Sequence, residues 1–546
     1  MHRKAIWLFA AALAATALVV GPTASAESEA LPTGGTVVIG HDQEPATLNN
    51  LITPGNAYTT SLVTNLVLAS GQRYNARAVL VPQLFAGKPR IIRNRPLTVR
   101  FTIKANARWS DGRQVTGADW RATYQAIMNR NWDITSREGW EDINRVQVSG
   151  KTVTVRFRRP YAAWEALISG NIYPAHKLAG ANVNQLYQSS LDVSSGPFRF
   201  VSWQKGTQLV LQKNAGFRAG SAARVDRLVY RYIPNTASLF QSLRSNEIQV
   251  TEPQPQLQIV EIRRNSSFRV QSGPGYFFEH LDFQFGPQGH AALKRRYVRQ
   301  ALAMGISRTD IRNALYVQPG LVASAAQLPV LQSLIWKPFE ANYRPFFNRW
   351  SFNQRNVIAL LRRNGCTGGP ATPNRNNTNI WSCPGVGRLS FRFNTTSGNQ
   401  LRALTFEIAQ AQLKAVGIEL QPRFAANALT QVLPSRDWDI SLFTWLGGPT
   451  SSITSFALYG CGGDQNYMTY CNRQASNLLQ QAQITPNNVA RRNLLHRAER
   501  ILATDVPSIP MYVRPGFLIN NRRVSGLSIN PTQQGSTWNA ELWRTQ

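Results

Sequence analysis

The sequence predicts an α/β fold divided between two lobes, and three observations carry that expectation. Segments with alternating apolar residues exchange repeatedly with segments whose apolar residues recur at helical spacing, the pattern of strands and helices packed in layers. The chain has 546 residues, more than a single hydrophobic core usually serves. No low-complexity linker and no internal repeat separates its halves, so the lobes should be joined by chain crossings rather than by a tether.

Each element follows from local pattern. Val37–Ile39 is a short apolar strand, and "EPATLNN" after it is a polar turn. In "LTVRFTIK" (97–104) Val99, Phe101 and Ile103 fall on one face, a half-buried strand. In "TGADWRATYQAIMN", Trp120, Tyr124, Ile127 and Met128 sit at helical spacing. Thr116 with Asp119 three residues later resembles a capping box, Asp standing in the usual Glu/Gln place. Between strand and helix, Ser110-Asp111-Gly112 has turn chemistry: Asp bonds nearby backbone and Gly tolerates positive φ. The stretch "WSDGRQVTGADW" (109–120) therefore reads as strand, turn and capped helix, since no histidine or general base accompanies its serine locally.

Further along, "RVQVSG" and "KTVTVRFRRP" (145–160) form a hairpin about Ser149-Gly150. "SSGPFRFVSWQKGTQLVLQKN" (194–214) is a second meander turning at Lys205-Gly206, and "RVDRLVYRYIP" (224–234) is another strand. "NTASLFQSLRSNEIQV" (235–250) reads as a capped helix leading to a strand, and 296–315 as one strong helical stretch. Residues 401–423 are an amphipathic helix stopped by Gly417, then a strand; 487–512 are a long helix and a Pro-bounded strand.

At the N-terminus, Arg3 and Lys4 precede the apolar run Ala5–Val20, Gly21 and Pro22 break it, and Ala24-Ser25-Ala26 offers an A-x-A cleavage site. The run falls short of the roughly 20 residues a membrane span needs. A signal over 1–26, cleaved after Ala26, is expected, with an uncleaved anchor as the alternative. No cysteine follows the signal, so no lipobox is present. The expected location is the extracellular or periplasmic-like space of the cell envelope.

The net charge is +32, of which Arg3 and Lys4 leave with the signal. Nucleic acid, an anionic envelope and an acidic ligand are the competing readings of that charge. Basic residues are scattered, the densest groups being "IRRN", "KRRYVR" and "RRN", with no basic tail and no RNA- or DNA-binding motif. No nucleic-acid partner is expected, and a basic surface toward an anionic envelope is the preferred reading. The four cysteines, Cys366, Cys383, Cys461 and Cys471, suggest disulfides in an exported chain. Local pairing would close two short loops, although three connectivities are formally open. A zinc site is the alternative, but the spacings do not suit paired knuckles and no histidine cluster is near.

Catalytic signatures are missing: no G-x-S-x-G, H-E-x-x-H or Walker loop is present, and none of the six histidines pair at i, i+4. No enzyme activity, cofactor or metal is expected.

Six stretches then resemble, in order, the extracellular solute-binding proteins of family 5, the oligopeptide/dipeptide/nickel-binding components of ABC importers. They are "EPATLNNL", "WSDGRQVTGADW", "SSGPFRFVSWQKGTQLVLQKNAGF", "VYRYIPNTASLFQSLRSNEIQV", "RYVRQALAMGISRTDI" and "RRNLLHRAERILATDVPSIPMY". "GCGGDQNYMTYCN" is similar to actinobacterial members, in which its two cysteines would bridge. The resemblance implies a two-lobed periplasmic-binding-protein-like clamp of the large class II type. Its first lobe would comprise 27–75, an inserted subdomain over 76–195, and 196–285. The second lobe would span 286–508, and 509–546 would return to the first. The implied ligand is a peptide or other small solute held between lobes that close by hinge motion. The implied partner is a membrane ABC permease complex, and the chain would be a monomer.

The resemblance also implies site residues. From the second lobe, Thr444, Trp445, Gly447 and Gly448 of "LFTWLGGPTS" would meet the ligand, with Asn466 and Tyr467. From the first lobe come Asn56 and Tyr58 of "TPGNAYTT", and Trp140 of "REGWEDI". Each has a plain packing role as its alternative. Peptide-binding members carry an aspartate shortly after the cleft tryptophan that pairs with the peptide's amino group; here Gly447 and Gly448 occupy that stretch, so weak dependence on a free amine is expected. Within the same fold an oligosaccharide ligand is the rival, suited by Trp445 and Tyr58. Outside it stand a secreted hydrolase, for which no nucleophile and base are found, and a basic envelope protein without a transport role.

Overall fold

Alternating apolar residues become strands of one mixed ten-stranded sheet in the computed structural model, which describes residues 34–546. The export signal and cleavage site expected over 1–26 lie outside the described residues. The strand order is Glu419–Ala425, Ser390–Thr396, Ile440–Trp445, Phe268–Phe283, Ser508–Asn521, Val250–Thr251, Thr36–His41, Arg227–Tyr232, Gln208–Lys213, Phe198–Gln204. Thr36–His41 pairs in parallel with Arg227–Tyr232 and Val250–Thr251, and Ser390–Thr396 in parallel with both its neighbours. The remaining contacts are antiparallel.

Two large cores form on this sheet. One gathers Val37, Ile39, Leu66, Phe101, Trp120, Tyr173, Leu211, Tyr230 and Trp543. The other gathers Leu281, Phe283, Leu302, Phe393, Leu413, Trp438, Leu442, Leu502 and Met511. The α/β clamp expected from the sequence is thus present as two cored halves on one sheet. No helix among the described residues is long and apolar enough to cross a membrane.

The two longest strands, Phe268–Phe283 and Ser508–Asn521, pair antiparallel over most of their length, with the register broken between Pro274 and Phe278. That stretch reads Gly273-Pro274-Gly275 opposite Pro515-Gly516. Proline cannot donate to a ladder and glycine weakens it, so a bulge forms where the pattern demands one. Tyr276 N leaves the ladder and donates to Pro531 O at 2.9 Å.

A separate four-stranded antiparallel sheet, ordered Arg90–Asn94, Leu97–Thr102, Thr152–Phe157, Ile143–Ser149, packs its inner face on helix Gly117–Met128. Here the Trp109–Trp120 stretch is a joint. Thr116 N donates to Asp119 Oδ2 (2.7 Å), Ala118 N to Thr116 Oγ1 (3.2 Å), and Ala175 N to Asp119 Oδ1 (2.8 Å). Lys151 Nζ donates to the carbonyls of Lys104, Ala107 and Val115, so the turn's backbone acceptors are used. Gly112 has φ +89°, the left-handed region the turn needs. Ser110 Oγ accepts from Ser194 N (2.9 Å). The fold does bring a histidine that sequence distance hid: His176 Nε2 lies 3.0 Å from Asp111 Oδ2.

Most strands and helices lie where periodicity put them. The 296–315 stretch differs: helix Arg296–Gly305 ends, and a second helix, Arg308–Arg312, begins under a Ser307 N-cap that accepts from Asp310 N. A serine that caps well is a poor continuation residue. The helix Asn488–Asp505 leads into Ser508–Asn521, a strand much longer than the one expected to end at Tyr512. The cysteines pair locally, Cys366–Cys383 and Cys461–Cys471.

Asp119→Ala strands two amide donors in a buried joint and should destabilise by about 2 kcal/mol in chemical denaturation. Replacing Cys461 and Cys471 together by alanine should lower stability by about 3 kcal/mol, the loop-closure contribution of a short cystine loop, read by the same denaturation curves.

Candidate functional site

A cavity of about 940 Å³ lies between the two halves of the molecule, with the interrupted middle of the long strand pair among its lining. Phe277, Phe278, Arg514 and Pro515 come from that pair; Asn56, Tyr58, Glu138 and Glu252 come from the side of the first core. Lys337, Arg402, Thr444, Trp445 and Tyr467 come from the side of the second. A volume of that size is at the upper end for ligand sites.

The aromatic wall is built by the strand Ile440–Trp445, whose end residue carries its indole out of the ladder. His280, Trp445 and Tyr467 form a stack, with centroids 5.9 and 6.1 Å apart and planes within 11° and 10°. Phe443 meets Trp445 edge-on at 5.0 Å. Offset and edge contacts of this kind fix ring orientation, so Trp445 is a rigid wall.

Beneath it is a buried ion pair. Arg402 NH2 lies 3.3 Å from Glu279 Oε1 and 3.2 Å from Thr444 Oγ1, and Thr444 Oγ1 donates to the same Glu279 oxygen. Burial pushes the Glu279 carboxyl up, but Arg402, Arg514 and the Thr444 hydroxyl outweigh it and hold it below the ordinary carboxylate range. Lys337 Nζ sits 3.9 Å from the Phe278 ring centre. Burial draws its ammonium down to about 8, against the opposing pull of Glu340 and Glu499.

Opposite, Tyr58 OH donates to Glu252 Oε2 at 2.6 Å and packs edge-on against Phe277. Burial, and then Glu252 itself, raise the Tyr58 phenol well above its usual range, so it keeps its proton as donor. Four acids (Asp42, Glu44, Glu138, Glu252) and three bases (Lys337, Arg402, Arg514) line the cavity, although the whole chain has 60 Lys and Arg against 28 Asp and Glu. The cleft does not share the surface's cationic bias.

Of the residues singled out from sequence, Asn56, Tyr58, Thr444, Trp445, Gly447 and Tyr467 line the cavity. Trp140 does not; it packs on Trp120 and Tyr124 in the first core, 5.9 and 6.2 Å between ring centres. Asn466 is a staple inside the cystine loop, donating to Gly460 O and Tyr470 O and accepting from Tyr470 N. Gly448 lies beside the lining and donates its N–H to Ser451 Oγ. Gly447 has a steric reason: a Cβ there would stand 2.7 Å from Tyr276 O, a distance a side chain could not keep without backbone movement.

Glu138, Glu252, Lys337, Arg402 and Arg514 were not found by sequence reasoning. Each is a single charged residue on a different element, and no local spacing announces it. Cys366, Cys383, Cys461 and Cys471 lie away from the lining. No cluster of three potential metal ligands occurs among the described residues.

The two halves also touch directly beside the cavity. Ser136 Oγ and Arg137 N both donate to Asp464 Oδ2 at 2.9 Å, Gln483 Nε2 donates to Glu138 Oε1 at 2.5 Å, and Ala162 N donates to Gln483 O at 2.6 Å. Asp464 stands in the loop closed by Cys461–Cys471.

Comparison with known proteins gives consistent relatives. The model for bacterial extracellular solute-binding proteins, family 5, matches residues 81–467. The oligopeptide-binding protein AppA of Bacillus subtilis (strain 168) is 21% identical over 529 residues, which cover 93% of this chain and 91% of AppA. The oligopeptide-binding protein OppA of Mycobacterium tuberculosis (strain ATCC 25618 / H37Rv) is 25% identical over 451 residues, 78% of this chain and 71% of that one. The solved structure of Bacillus subtilis AppA in complex with a nonapeptide aligns with a TM-score of 0.82 at 19% identity, covering 95% of this chain and all of that one. This last likeness is one of fold.

Glu138 makes the contact between halves pH-sensitive. Burial, and next the Asp464 carboxylate, push its carboxyl from the ordinary range up to about 8; Tyr161, Ala457 N and Gln483 act the other way. Separating the halves would expose it and restore an ordinary value, so closing would take up a proton. The contact is fully stable below the ordinary carboxylate range and weakens as pH rises toward 8. Ligand affinity should therefore fall between pH 5 and pH 8, by less than tenfold per pH unit. Glu138→Gln should flatten the profile in calorimetry.

Proposed function

The chain belongs to the family 5 bacterial extracellular solute-binding proteins, and from that premise we propose that it captures a peptide or peptide-like solute in the cavity and presents it to the permease of an ABC importer. The observation that carries this reading is the cavity: large, lined from both halves of the molecule, with a rigid aromatic wall and charges of both signs. Such a lining suits an amphipathic chain bearing an amine at one end and a carboxylate at the other. The names of the relatives, oligopeptide-binding proteins in both cases, support the same ligand class.

The roles divide by chemistry. Trp445, held by His280, Phe443 and Tyr467, offers part of a rigid apolar wall to ligand side chains. Arg402, Arg514 and Lys337 supply positive charge for a ligand carboxylate. Glu252 is the carboxylate best placed for a ligand amine, because Tyr58 and Ser536 N engage only its Oε2. The expectation of weak amine dependence rested on the missing aspartate and on the chain's high positive charge; the carboxylates lining the cavity favour the opposite reading. The chain acts as an exported monomer that binds its solute and returns it unchanged.

Calorimetry with matched free and N-acetylated peptides tests the reading. Acetylation should weaken binding about tenfold or more, the worth of a charge-assisted hydrogen bond, and Glu252→Gln should abolish the difference. Trp445→Ala should weaken both peptides by about tenfold or more through lost aromatic contact. Chemical change of the bound peptide in mass spectrometry would end the receptor reading.

A further inference from the structure

The inserted four-stranded sheet has two unlike faces. Val99, Phe101, Val153 and Val155 point inward and are buried. The outer face presents Arg90 and Arg93 from the edge strand, Arg100 from the next, then Arg156 and Arg145. All five are exposed. The register sets Arg90 opposite Arg100 and Arg156 opposite Arg145, and like charges directly opposite are destabilising. None of the four strands contains an acidic residue. Among the described residues none of the five arginines forms an ion pair, and the hydrogen bond their side chains make is Arg100 Nε to Thr154 Oγ1 at 3.3 Å. Among the described residues the repulsion is left uncompensated by any ion pair.

Strands about 4.8 Å apart make this a cationic plate roughly 15 Å wide. Thr98, Thr154, Gln147 and Ser149 fill the positions between the arginines. The edge strand also carries Ile91 and Ile92, 44% and 46% exposed, but Ile91 stands opposite the inward-pointing Val99 and so lies off the arginine face, with Ile92 in the bulge after it; exposed Lys88 and Arg95 flank the strand. No residue of these strands lines the cavity.

We propose that this face docks the protein on an anionic lipid surface, with the arginines on headgroup phosphates. A flat array of like charges matches the plane of a bilayer's anionic headgroups. Nucleic acid fits less well, because the outer face carries no aromatic ring on which a base could stack. Since the cavity lies elsewhere, docking and solute capture do not compete.

Co-sedimentation of the purified protein with vesicles at low ionic strength tests this. Phosphatidylglycerol-containing vesicles should bind it, pure phosphatidylcholine vesicles should not, and added salt should release it. Each arginine removed should cost about fivefold in partitioning, so Arg93→Thr/Arg100→Thr/Arg156→Thr together should lose on the order of 100-fold. Arg355→Gln/Arg363→Gln/Arg497→Gln removes the same charge from exposed helix positions of the other half and should leave binding near the parent. Should the sheet variant not fold, Arg100→Thr and Arg156→Thr singly should each show the fivefold loss. Peptide affinity of the sheet variant should match the parent, which separates this test from that of the cavity. The proposal is overturned if the parent ignores phosphatidylglycerol, if both triple variants lose binding equally, or if a soluble phosphodiester polymer holds the protein as tightly as vesicles do.

Discussion

The pairing of Phe268–Phe283 with Ser508–Asn521 is the constraint on which the rest of the molecule depends. These strands sit at the centre of the ten-stranded sheet, so every later strand is placed by reference to them. Their ladder runs from Phe268↔Asn521 to Asp282↔Ser508 and is broken in the middle by Gly and Pro. The break lies where Phe277, Phe278 and Arg514 line the cavity. A sheet shared by both halves, its ladder broken by glycine and proline where they meet, holds the halves together.

Charge is distributed by two different rules in the same chain. Over the whole chain bases outnumber acids by 60 to 28, so surface pairs such as Arg244–Glu261 and Arg231–Glu247 leave many bases without an acid. In the cleft the two signs are close to balance, and the charges are held by partners. Glu279 keeps its charge in a buried setting because Arg402 and Thr444 meet it directly. Glu138 sits beside Asp464 and is driven toward its neutral form. A buried charge is tolerated where it is paired and is titrated away where it is not. The cleft's preference for a solute thus cannot be inferred from the chain's overall charge.

Two short motifs show how the same residue types serve opposite ends. The Ser-Asp-Gly turn has the letters of a reactive site, yet its serine oxygen accepts from Ser194 N and its neighbour Asp119 closes a helix cap. The Gly-Gly pair after Trp445 resembles an empty loop, yet Gly447 is required by the closeness of the Tyr276 carbonyl. In both cases geometry set by distant chain segments assigns the role.

Sequence by itself determined the fold class, most of the helices and hairpins, and several aromatic residues of the cavity lining. Alternation and helical spacing are local, as at Leu97–Thr102 and Gly117–Met128, and a tryptophan on an apolar strand followed by glycines stands out. The local cystine pairing was one of three connectivities that sequence left open, and the fold chose it. The sequence pattern gave no notice of the break at Ser307, where a cap competes with helix continuation. Trp140 looked like a site residue because its neighbours in space, Trp120 and Tyr124, were not yet known to be neighbours. Only the tertiary structure decided the polar half of the cavity. Glu138, Glu252, Lys337, Arg402 and Arg514 are scattered over nearly four hundred residues of chain, and each gains meaning from a partner brought in by folding. A pattern along the chain reports what neighbours in sequence share, whereas a charged site depends on which distant groups come within a few ångströms, and that is set by the packing of the two cores on one sheet.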